Sequence, residues 1–477
     1  MRAPSSERAP GSRIQRDGTP RRVLMLLYFF PPLGGISMSR NVRHVQYLPR
    51  YGWTPVVLTP RDGQYGLRDA SSNTLVPPGT RVLRTGSIEA GHVRSALIRV
   101  RDAVDSRAKG VRRRDDQVAQ ATERDKGSNR EQRPGSTGLE WFRRLLFFPD
   151  DQVGWLPFAV LAALRLHRRT PFDVIYSTSS PITSHLIAWI LKRLTGLPWV
   201  AEFRDPWVGN VLAAPLPRLY RRLQGRLEAW IVRSAEQVVC VGPSLSRLYQ
   251  ERYPGIAEIV TIPNGYDRGE ALDPPASRAH RTRFRIVYTG TLDRPQELQT
   301  FLDGLDALLS RRPELRERIE VLFYGDVSDQ CAQVADSFMR ADGLGSILHF
   351  LGFVPRRIAL EALSDADAAL VLLGAGLELF VGGKLYDYLG QGRQILAMLP
   401  RGDARDVLEG LDWGVMAYPE PHDVERAIEH LLTLPPPDRP ADPERRYDRE
   451  VLAGRLADTL ATAVNARTRS LGSGKLS

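Results

Sequence analysis

The sequence is poor in cysteine and contains no long apolar run. Cys240 and Cys331 are its two cysteines in 477 residues. They are too few for a disulfide framework, so a reducing cytoplasm is the expected compartment. There is no Cys/His cluster and no His-Glu-x-x-His motif, so we expect no metal site. No apolar run approaches the about 20 residues that span a bilayer. The longest, residues 23–30, stops at two prolines and lacks the cleavage site of a signal peptide.

Positive charge is present in excess and is unevenly distributed. The net charge is +11, with concentrations before Val23 and over residues 99–133. Such a balance attracts phosphates, whether in nucleic acid, anionic lipid or phosphorylated small molecules. Residues 106–137 are polar and aperiodic, so we expect a flexible basic loop inserted in the first domain. Residues 99–133 contain no Phe, Tyr or Trp, which disfavours nucleic-acid binding through this loop.

Apolar strands alternate with amphipathic helices twice along the chain. This pattern predicts an α/β fold made of two Rossmann-like, doubly wound domains that face a central cleft. The predicted organisation is a disordered tail over 1–20, an N-terminal domain over 21–267, a linker over 268–283, a C-terminal domain over 284–440, a helix over 441–465 that crosses back to the N-terminal domain, and a disordered tail over 466–477.

The segment Phe380–Tyr388 carries the clearest chemical pattern. It follows the apolar run 368–373 and precedes the run 395–399, as expected for strand, loop, helix and strand. Gly382 and Gly383 allow close approach of a ligand to the backbone, and the following helix presents free N–H groups to an anion. Lys384 adds a cation, and Asp387 lies one turn further along, where it can accept hydrogen bonds from paired hydroxyls. A phosphate binder beside a hydroxyl binder fits a nucleotide-sugar.

A dinucleotide site is a poor alternative for the first domain. Its fingerprint requires Gly-x-Gly-x-x-Gly and an acid at the end of the second strand. Here Gly34 and Gly35 are adjacent, and the second strand ends at Leu58, Thr59 and Pro60.

The order of motifs resembles the GT-B glycosyltransferases, in particular family 4, over residues 22–464. It is most similar to the branch that builds exopolysaccharide and cell-surface sugars on lipid carriers. The motifs that carry the resemblance are Phe30–Gly35, Phe203–Trp207, Ile262–Asp267, Tyr288–Leu292, Leu351–Pro355 and Gly383–Leu389.

The resemblance implies a role for each motif. The second domain would bind the nucleotide-sugar, UDP- or GDP-linked, with Lys384 and Arg294 on the diphosphate and Gly290 in the same loop. Asp387 would take the ribose hydroxyls, where the family usually has Glu. Gly34 and Gly35 would hold the diphosphate from the first domain.

Catalytic roles would fall to Asp205 and its neighbour Arg204. The family retains anomeric configuration, so Asp205 either orients the acceptor or acts as a base. His185, Glu378 and Gly383 are candidate acceptor or sugar contacts. The family's first acid is replaced by Leu379, with Glu378 beside it, and its donor-loop Lys is missing. No metal or other cofactor is implied, because cations and backbone dipoles can stabilise the leaving charge.

Two other functions and one partner remain open. A nucleotide-sugar epimerase would need a carboxylate pair in the cleft, and a nucleic-acid-binding protein would use the Arg-rich insertion. Residues 139–148 mix aromatic and basic side chains, which fits either a membrane-surface helix or core packing. The resulting expectation is a cytoplasmic enzyme at the inner face of the membrane with a glycan or lipid-linked acceptor.

Overall fold

A computed structural model describes residues 20–33, 36–61, 63, 70–89, 147–210, 217–256, 258–275, 281–341, 344–437 and 440–473. Several predicted segments lie wholly or largely outside the described residues. These are residues 1–19 of the tail predicted over 1–20, the insertion over 106–137, residues 139–146 of the stretch 139–148, and Gly34 with Gly35.

The first domain contains a seven-stranded parallel sheet in the order β3-β2-β1-β4-β5-β6-β7. Its strands are β1 Arg21–Leu26, β2 Trp53–Pro60, β3 Arg81–Thr85, β4 Val174–Thr178, β5 Trp199–Phe203, β6 Gln237–Cys240 and β7 Val260–Thr261. Its helices are α1 Ile36–Tyr47, α2 Leu156–Arg169, α3 Thr183–Thr195, α4 Arg218–Ser234 and α5 Pro243–Arg252. The central strands β4 and β5 are buried along their whole length because helices cover both faces of the sheet.

The second domain repeats the plan with a six-stranded parallel sheet in the order β10-β9-β8-β11-β12-β13. Its strands are β8 Phe284–Thr289, β9 Ile319–Tyr324, β10 Leu348–Phe350, β11 Ala368–Leu372, β12 Gln394–Met398 and β13 Val415–Ala417. Its helices are α6 Pro295–Arg311, α7 Asp329–Ala341, α8 Arg356–Asp365, α9 Gly383–Gln391, α10 Asp403–Leu411 and α11 Pro421–Leu431.

The last helix, α12, spans Arg449–Ser473 and packs on the first domain. Leu452, Leu456 and Leu460 are buried in one cluster with β1 residues such as Val23. The helix begins and ends eight residues later than the predicted helix over 441–465. The predicted tail over 466–477 is therefore wrong for residues 466–473, which are helical.

The strand orders place two switch points at corresponding positions. In the first sheet the strand order runs outward in opposite directions from the boundary between β1 and β4. In the second sheet it does the same from the boundary between β8 and β11. Ligands of such sheets bind outside the carboxyl ends of the strands at these points. The predicted fold class, two parallel α/β domains, is confirmed. Within the described ranges, no helix has the length and apolarity needed to cross a membrane.

Candidate active site

Two glycines bring the loops after β8 and β9 into close contact. Gly290 has a φ of 107° and Gly325 a φ of 139°, a region that favours glycine. A Cβ on Gly325 would lie 2.3 Å from the Gly290 carbonyl oxygen. A Cβ on Gly290 would lie 2.5 Å from Cε of Lys384. The missing side chain of Gly290 therefore makes the space that the Lys384 side chain fills.

Lys384 lies in the first turn of α9 and reaches back to the β8 loop. Its Nζ donates to Tyr288 Oη at 2.5 Å and to the Thr291 carbonyl oxygen at 3.3 Å. The ammonium also lies 4.1 Å from the centroid of the Tyr288 ring. Burial lowers the pKa of Lys384 to about 8, and nearby Asp293 partly opposes this. The structure thus holds a partly desolvated cation beside free N–H groups of a helix N-terminus.

Arg294 lies close to the same loop, at the N-cap of α6. Its guanidinium Nη1 is 3.6 Å from Glu297 Oε1, and its side chain is 40% exposed. Glu297 in turn lies against Gly374, where a Cβ would come within 2.4 Å of Glu297 Oε1. Arg294 therefore stands at the carboxyl edge of the second sheet with an exposed guanidinium, free to turn toward an anion.

Asp387 lies one turn after Lys384 and is held by an arginine. Arg356 donates to both of its oxygens, from Nη1 to Oδ2 at 3.1 Å and from Nη2 to Oδ1 at 2.9 Å. The Asp387 side chain is 18% exposed. A carboxylate has more acceptor sites than these two bonds use, so it can still accept from hydroxyls. Spacing predicted Asp387 as a candidate but gave no sign of Arg356.

The loop between β11 and α9 contains two other predicted residues. Glu378 is exposed, and its Oε1 accepts from the Gly376 N–H at 2.9 Å. Gly383 is the first residue of α9, so its N–H is among those without a helical partner. Both lie at the carboxyl edge of the sheet, on the side of the cleft.

Arg204 and Asp205 follow β5 at the carboxyl edge of the first sheet. Arg204 Nε donates to the Ser179 carbonyl oxygen at 2.8 Å, and its guanidinium lies 5.6 Å from the Phe29 ring centroid. Burial raises the pKa of Asp205 above its ordinary value, and the Arg204 cation opposes the shift. Arg204, which follows β5, thus contacts the segments that follow β4 and β1. Asp205 lies beside it as a half-buried carboxyl.

His185 does not lie at the cleft, which corrects the prediction of an acceptor contact. Its side chain is fully buried, its ring centroid is 4.6 Å from that of Phe203, and its Nδ1 is 2.8 Å from Ser177 Oγ. Burial lowers the pKa of His185 to about 3, so the imidazole is neutral. The apolar pattern of α3 around it was the available sign that it belongs to the core.

A buried ion pair fixes the start of α1 against the first sheet. Arg40 Nη2 lies 2.6 Å from Glu202 Oε1, and the same guanidinium donates to the carbonyl oxygens of Ile262 and Pro263. Burial raises the pKa of Glu202, but Arg40 and His44 outweigh it and bring the pKa to about 2. This pair positions the helix that follows Gly34 and Gly35. Sequence reasoning missed it, since 162 residues separate its members.

The two domains also touch across the cleft. Both oxygens of Asp403, at the start of α10, lie 3.2 Å from the Ser244 N–H of α5. A Cβ on Gly242 would meet Asp403 Oδ2 at 2.4 Å. The N-cap residue of α5 is Gly242, which has no side-chain acceptor, so the capping carboxylate comes from the second domain. In the described part of the chain, no group of three or more potential metal ligands is found.

Comparison with known proteins points to one class of enzyme. Residues 100–270 match the model of Glycosyltransferase Family 4. The chain is 23% identical over 252 residues to a probable glycosyltransferase, WbjE, of Pseudomonas aeruginosa. That match covers 48% of this chain and 58% of the relative, so the chain spans little more than half the relative's length.

Solved structures match over nearly the whole chain. Sucrose-phosphate synthase from Thermosynechococcus elongatus has a TM-score of 0.52 at 14% identity, covering 96% of this chain and 100% of that one. Anabaena Alr3699/HepE, in complex with UDP and glucose, has a TM-score of 0.51 at 15% identity, with 95% and 100% covered. A glycosyltransferase from Rickettsia africae has a TM-score of 0.53 at 10% identity, with 94% and 97% covered.

At these identities the structural likeness is evidence for the fold alone. The family match and the named relative add a likeness in sequence to glycosyltransferases for the part of the chain that they cover. The protein therefore has the GT-B fold, and its residues 100–270 are similar to Glycosyltransferase Family 4.

Proposed function

We propose that this protein transfers a sugar from a nucleotide-sugar donor to a glycan acceptor. The observation that carries the proposal is Lys384 packed over Gly290 at the N-terminus of α9, with Asp387 one turn away. This arrangement offers a cation and free N–H groups to a diphosphate and a carboxylate to a ribose. Two further structures of Anabaena Alr3699/HepE, in complex with UDP and with UDP-glucose, support a donor of that class.

The transfer needs stabilisation of the leaving diphosphate. The bond from the anomeric carbon to the diphosphate oxygen breaks, and a bond from that carbon to an acceptor oxygen forms. Negative charge grows on the diphosphate as the first bond lengthens. In the proposed site Lys384, Arg294 and the N–H groups at the start of α9 interact with this growing charge, so they lower the barrier without a bound metal ion.

We propose that transfer retains the anomeric configuration. A donor phosphate oxygen then takes the acceptor's proton, while Asp205 orients the acceptor. The half-buried position of Asp205 and its raised pKa suit a group that hydrogen-bonds a hydroxyl near neutral pH. Arg204, bonded to the Ser179 carbonyl, keeps that strand end in place.

The acceptor we propose is lipid-linked, as in polysaccharide assembly at the cytoplasmic face of a membrane. Helix α4 supports this proposal. Its outer surface exposes Leu219 at 69% and Trp230 at 37%. The same helix exposes the arginines at positions 218, 221, 222, 226 and 233. Its one acid, Glu228, is buried and bonded to Arg252. Cations beside an exposed indole suit the headgroup region of an anionic bilayer.

The donor is tested by a thermal-shift screen with UDP-, GDP- and dTDP-sugars. The parent protein is expected to be stabilised by one nucleotide class. Lys384→Ala and Asp387→Ala should each weaken binding by roughly tenfold or more, because each removes a charge-assisted contact. Arg357→Ala is the matched control, since this 87% exposed arginine pairs with Glu361 of its own helix and has no described bond to Lys384 or Asp387. Donor binding that survives both substitutions in full would refute the site.

The products separate transfer from epimerisation. A transferase releases the nucleoside diphosphate and makes a new glycosidic bond. An epimerase returns an altered sugar and, in the simplest case, makes no bond to an acceptor. Incubating the donor with a lipid-extract acceptor and analysing both products decides between the two reactions.

The membrane surface is tested by sedimentation with vesicles. We expect the protein to bind vesicles of phosphatidylglycerol and phosphatidylcholine at low salt and to bind pure phosphatidylcholine weakly. Replacing Arg221, Arg222 and Arg226 by Gln should abolish the preference for the anionic vesicles, because each cation contributes about 1 kcal/mol to the free energy of binding. A triple Gln variant at Arg316, Arg340 and Arg357 of the second domain loses the same charge and should still bind. Equal loss in both triple variants would contradict a specific surface on α4.

A further inference from the structure

Glu270 holds one arginine from each domain. It ends the short 3-10 turn Arg268–Glu270 in the segment between the two sheets. Its Oε1 accepts from Arg43 Nη2 at 2.6 Å, and its Oε2 accepts from Arg356 Nη2 at 2.6 Å. Arg43 lies on α1 of the first domain, and Arg356 begins α8 of the second. The carboxylate is thus a bridge across the domain junction.

The bridge continues to Asp387. The guanidinium of Arg356 that binds Glu270 also donates to both oxygens of Asp387. Burial raises the pKa of Glu270, but Arg356 and Arg43 outweigh it and bring the pKa below its ordinary value. Glu270 is therefore ionised at neutral pH and faces the Arg43 and Arg356 guanidinium groups as their charged partner.

The backbone around Glu270 is fixed to α9, which carries Asp387. Gln391 Nε2 donates to the Glu270 carbonyl oxygen at 2.8 Å, and Gln391 Oε1 accepts from the Leu272 N–H at 3.0 Å. Gln391 therefore ties the backbone at Glu270 and Leu272 to α9 of the second domain. The bond from Glu270 to Arg43 is then the part of the bridge that links this unit to the first domain.

On the first-domain side, Arg43 is held rigidly. Its Nε lies 2.9 Å from Asp267 Oδ2, and its Nη1 donates to Gln46 Oε1 at 2.6 Å. Tyr47 Oη donates to the same Asp267 oxygen at 3.1 Å. Because Arg43 is held in this way, its guanidinium follows the position of α1. Glu270 is therefore bonded to a group whose position, as well as its charge, depends on that helix.

We propose that Glu270 is a positioning residue that couples the orientation of Asp387 to the docking of α1 on the second domain. The inference rests on the proposed function, because it takes Asp387 as a donor contact. Helix α1 carries Arg43, and α9 carries Lys384 and Asp387. The bridge thus holds Asp387 in one orientation before the donor arrives, which reduces the cost of binding.

The first test compares Glu270→Gln with Glu429→Gln by titration calorimetry with the donor found in the screen. Glu429 also binds two arginines, Arg311 and Arg312, but all three lie in the second domain. Glu270→Gln is expected to weaken donor binding by about three- to tenfold, and Glu429→Gln to leave it unchanged. Because Asp387 would contact the donor before and during reaction, KM should rise while kcat changes little. Unchanged donor affinity in Glu270→Gln would overturn the inference.

A double-mutant cycle with Arg43→Gln separates positioning from simple structural damage. If the bridge carries the effect, Arg43→Gln weakens donor binding in the parent and has little further effect in Glu270→Gln. If donor binding in the double variant is weakened by the product of the two single-variant factors, the two residues act independently, which would contradict the coupling. If Glu270→Gln folds poorly, Arg43→Lys and Arg43→Gln replace it. Arg43→Lys retains the charge, so it should weaken donor binding less than Arg43→Gln does. Unchanged donor affinity in both Arg43 variants would contradict the coupling. A parent that binds no nucleotide-sugar would instead refute the proposed function.

Discussion

Lys384 shows how one side chain in the candidate site lowers the stability of the folded protein. Its ammonium is half-buried over Gly290 and the Tyr288 ring, with no carboxylate within ion-pair distance among the residues that the structure describes. Burial accordingly lowers its pKa to about 8. A group whose charged form is disfavoured in the folded state destabilises that state while it remains charged. We interpret this cost as the consequence of holding a cation ready for an anionic ligand.

Replacing Lys384 by Met should stabilise the protein at pH 7. The folded-state pKa of about 8 lies below the ordinary lysine value of 10.5. Between these values the unfolded chain binds more protons, so parent stability rises with pH. The variant should gain about 1–3 kcal/mol in free energy of unfolding at pH 7 and much less at pH 10. Urea denaturation at both pH values measures this, and an equal gain at both would contradict it.

The titration of Lys384 should also appear in the pH dependence of the donor's dissociation constant. A neutral Lys384 attracts a diphosphate less than a charged one does. The dissociation constant of the donor should therefore be flat below about pH 7 and should rise above pH 8 in the parent. Lys384→Arg keeps its charge at these pH values and should show a flat profile up to pH 9.5, even if its affinity is lower. Calorimetry across this range provides the measurement, and parallel profiles would argue against Lys384 as the titrating group.

Gly290 should tolerate no side chain. Its φ of 107° and the contact with Lys384 mean that Gly290→Ala strains the backbone and displaces the ammonium. We expect a loss of about 1–3 kcal/mol in stability together with weaker donor binding. Gly225→Ala is the control, because Gly225 lies inside α4 with open space around it and should gain up to about 1 kcal/mol. Chemical denaturation of both variants tests the contrast.

At the scale of elements, local patterns predicted most of what the structure contains. The glycine pair and cation at 382–384 mark the start of α9, and the apolar run 368–373 ends one residue after β11 does. Pairings between elements were not predictable in this way. Arg356 and Asp387 are 31 residues apart, and Ser244 and Asp403 are 159 apart. Periodicity describes a face of one element, and it contains no information on which charged group will lie opposite.

The cap that Asp403 provides to α5 gives a prediction at this scale. Asp403→Ala removes the acceptor for the Ser244 N–H and should cost about 0.5–2 kcal/mol, as N-cap losses do. Amide exchange at the start of α5 should accelerate even though the substitution is in the other domain. Asp406→Ala is the control, since Asp406 shares the first turn of α10 and has no described bond to α5. Similar exchange in the two variants would show that the contact does not cap the helix.

At the scale of the molecule, strand and helix alternation sufficed to predict two parallel sheets, because each βαβ unit leaves few choices of arrangement. The site could be predicted only in part. Lys384, Gly290, Arg294 and Asp387 lie at one sheet edge, whereas His185 is core, since its helix is apolar on the face that bears it. The roles of these residues stay predictions. The junction formed by Glu270 had no signal in the sequence, because it depends on how the two domains dock.

The central claim is that the two domains hold an activated sugar between them and release its diphosphate. Phosphorus and proton NMR of the donor incubated with the protein and a lipid-extract acceptor tests this most directly. The account predicts release of nucleoside diphosphate and a new glycosidic signal, both lost in Lys384→Ala. An intact nucleotide-sugar with an altered sugar ring, or release that persists unchanged in Lys384→Ala, would contradict it.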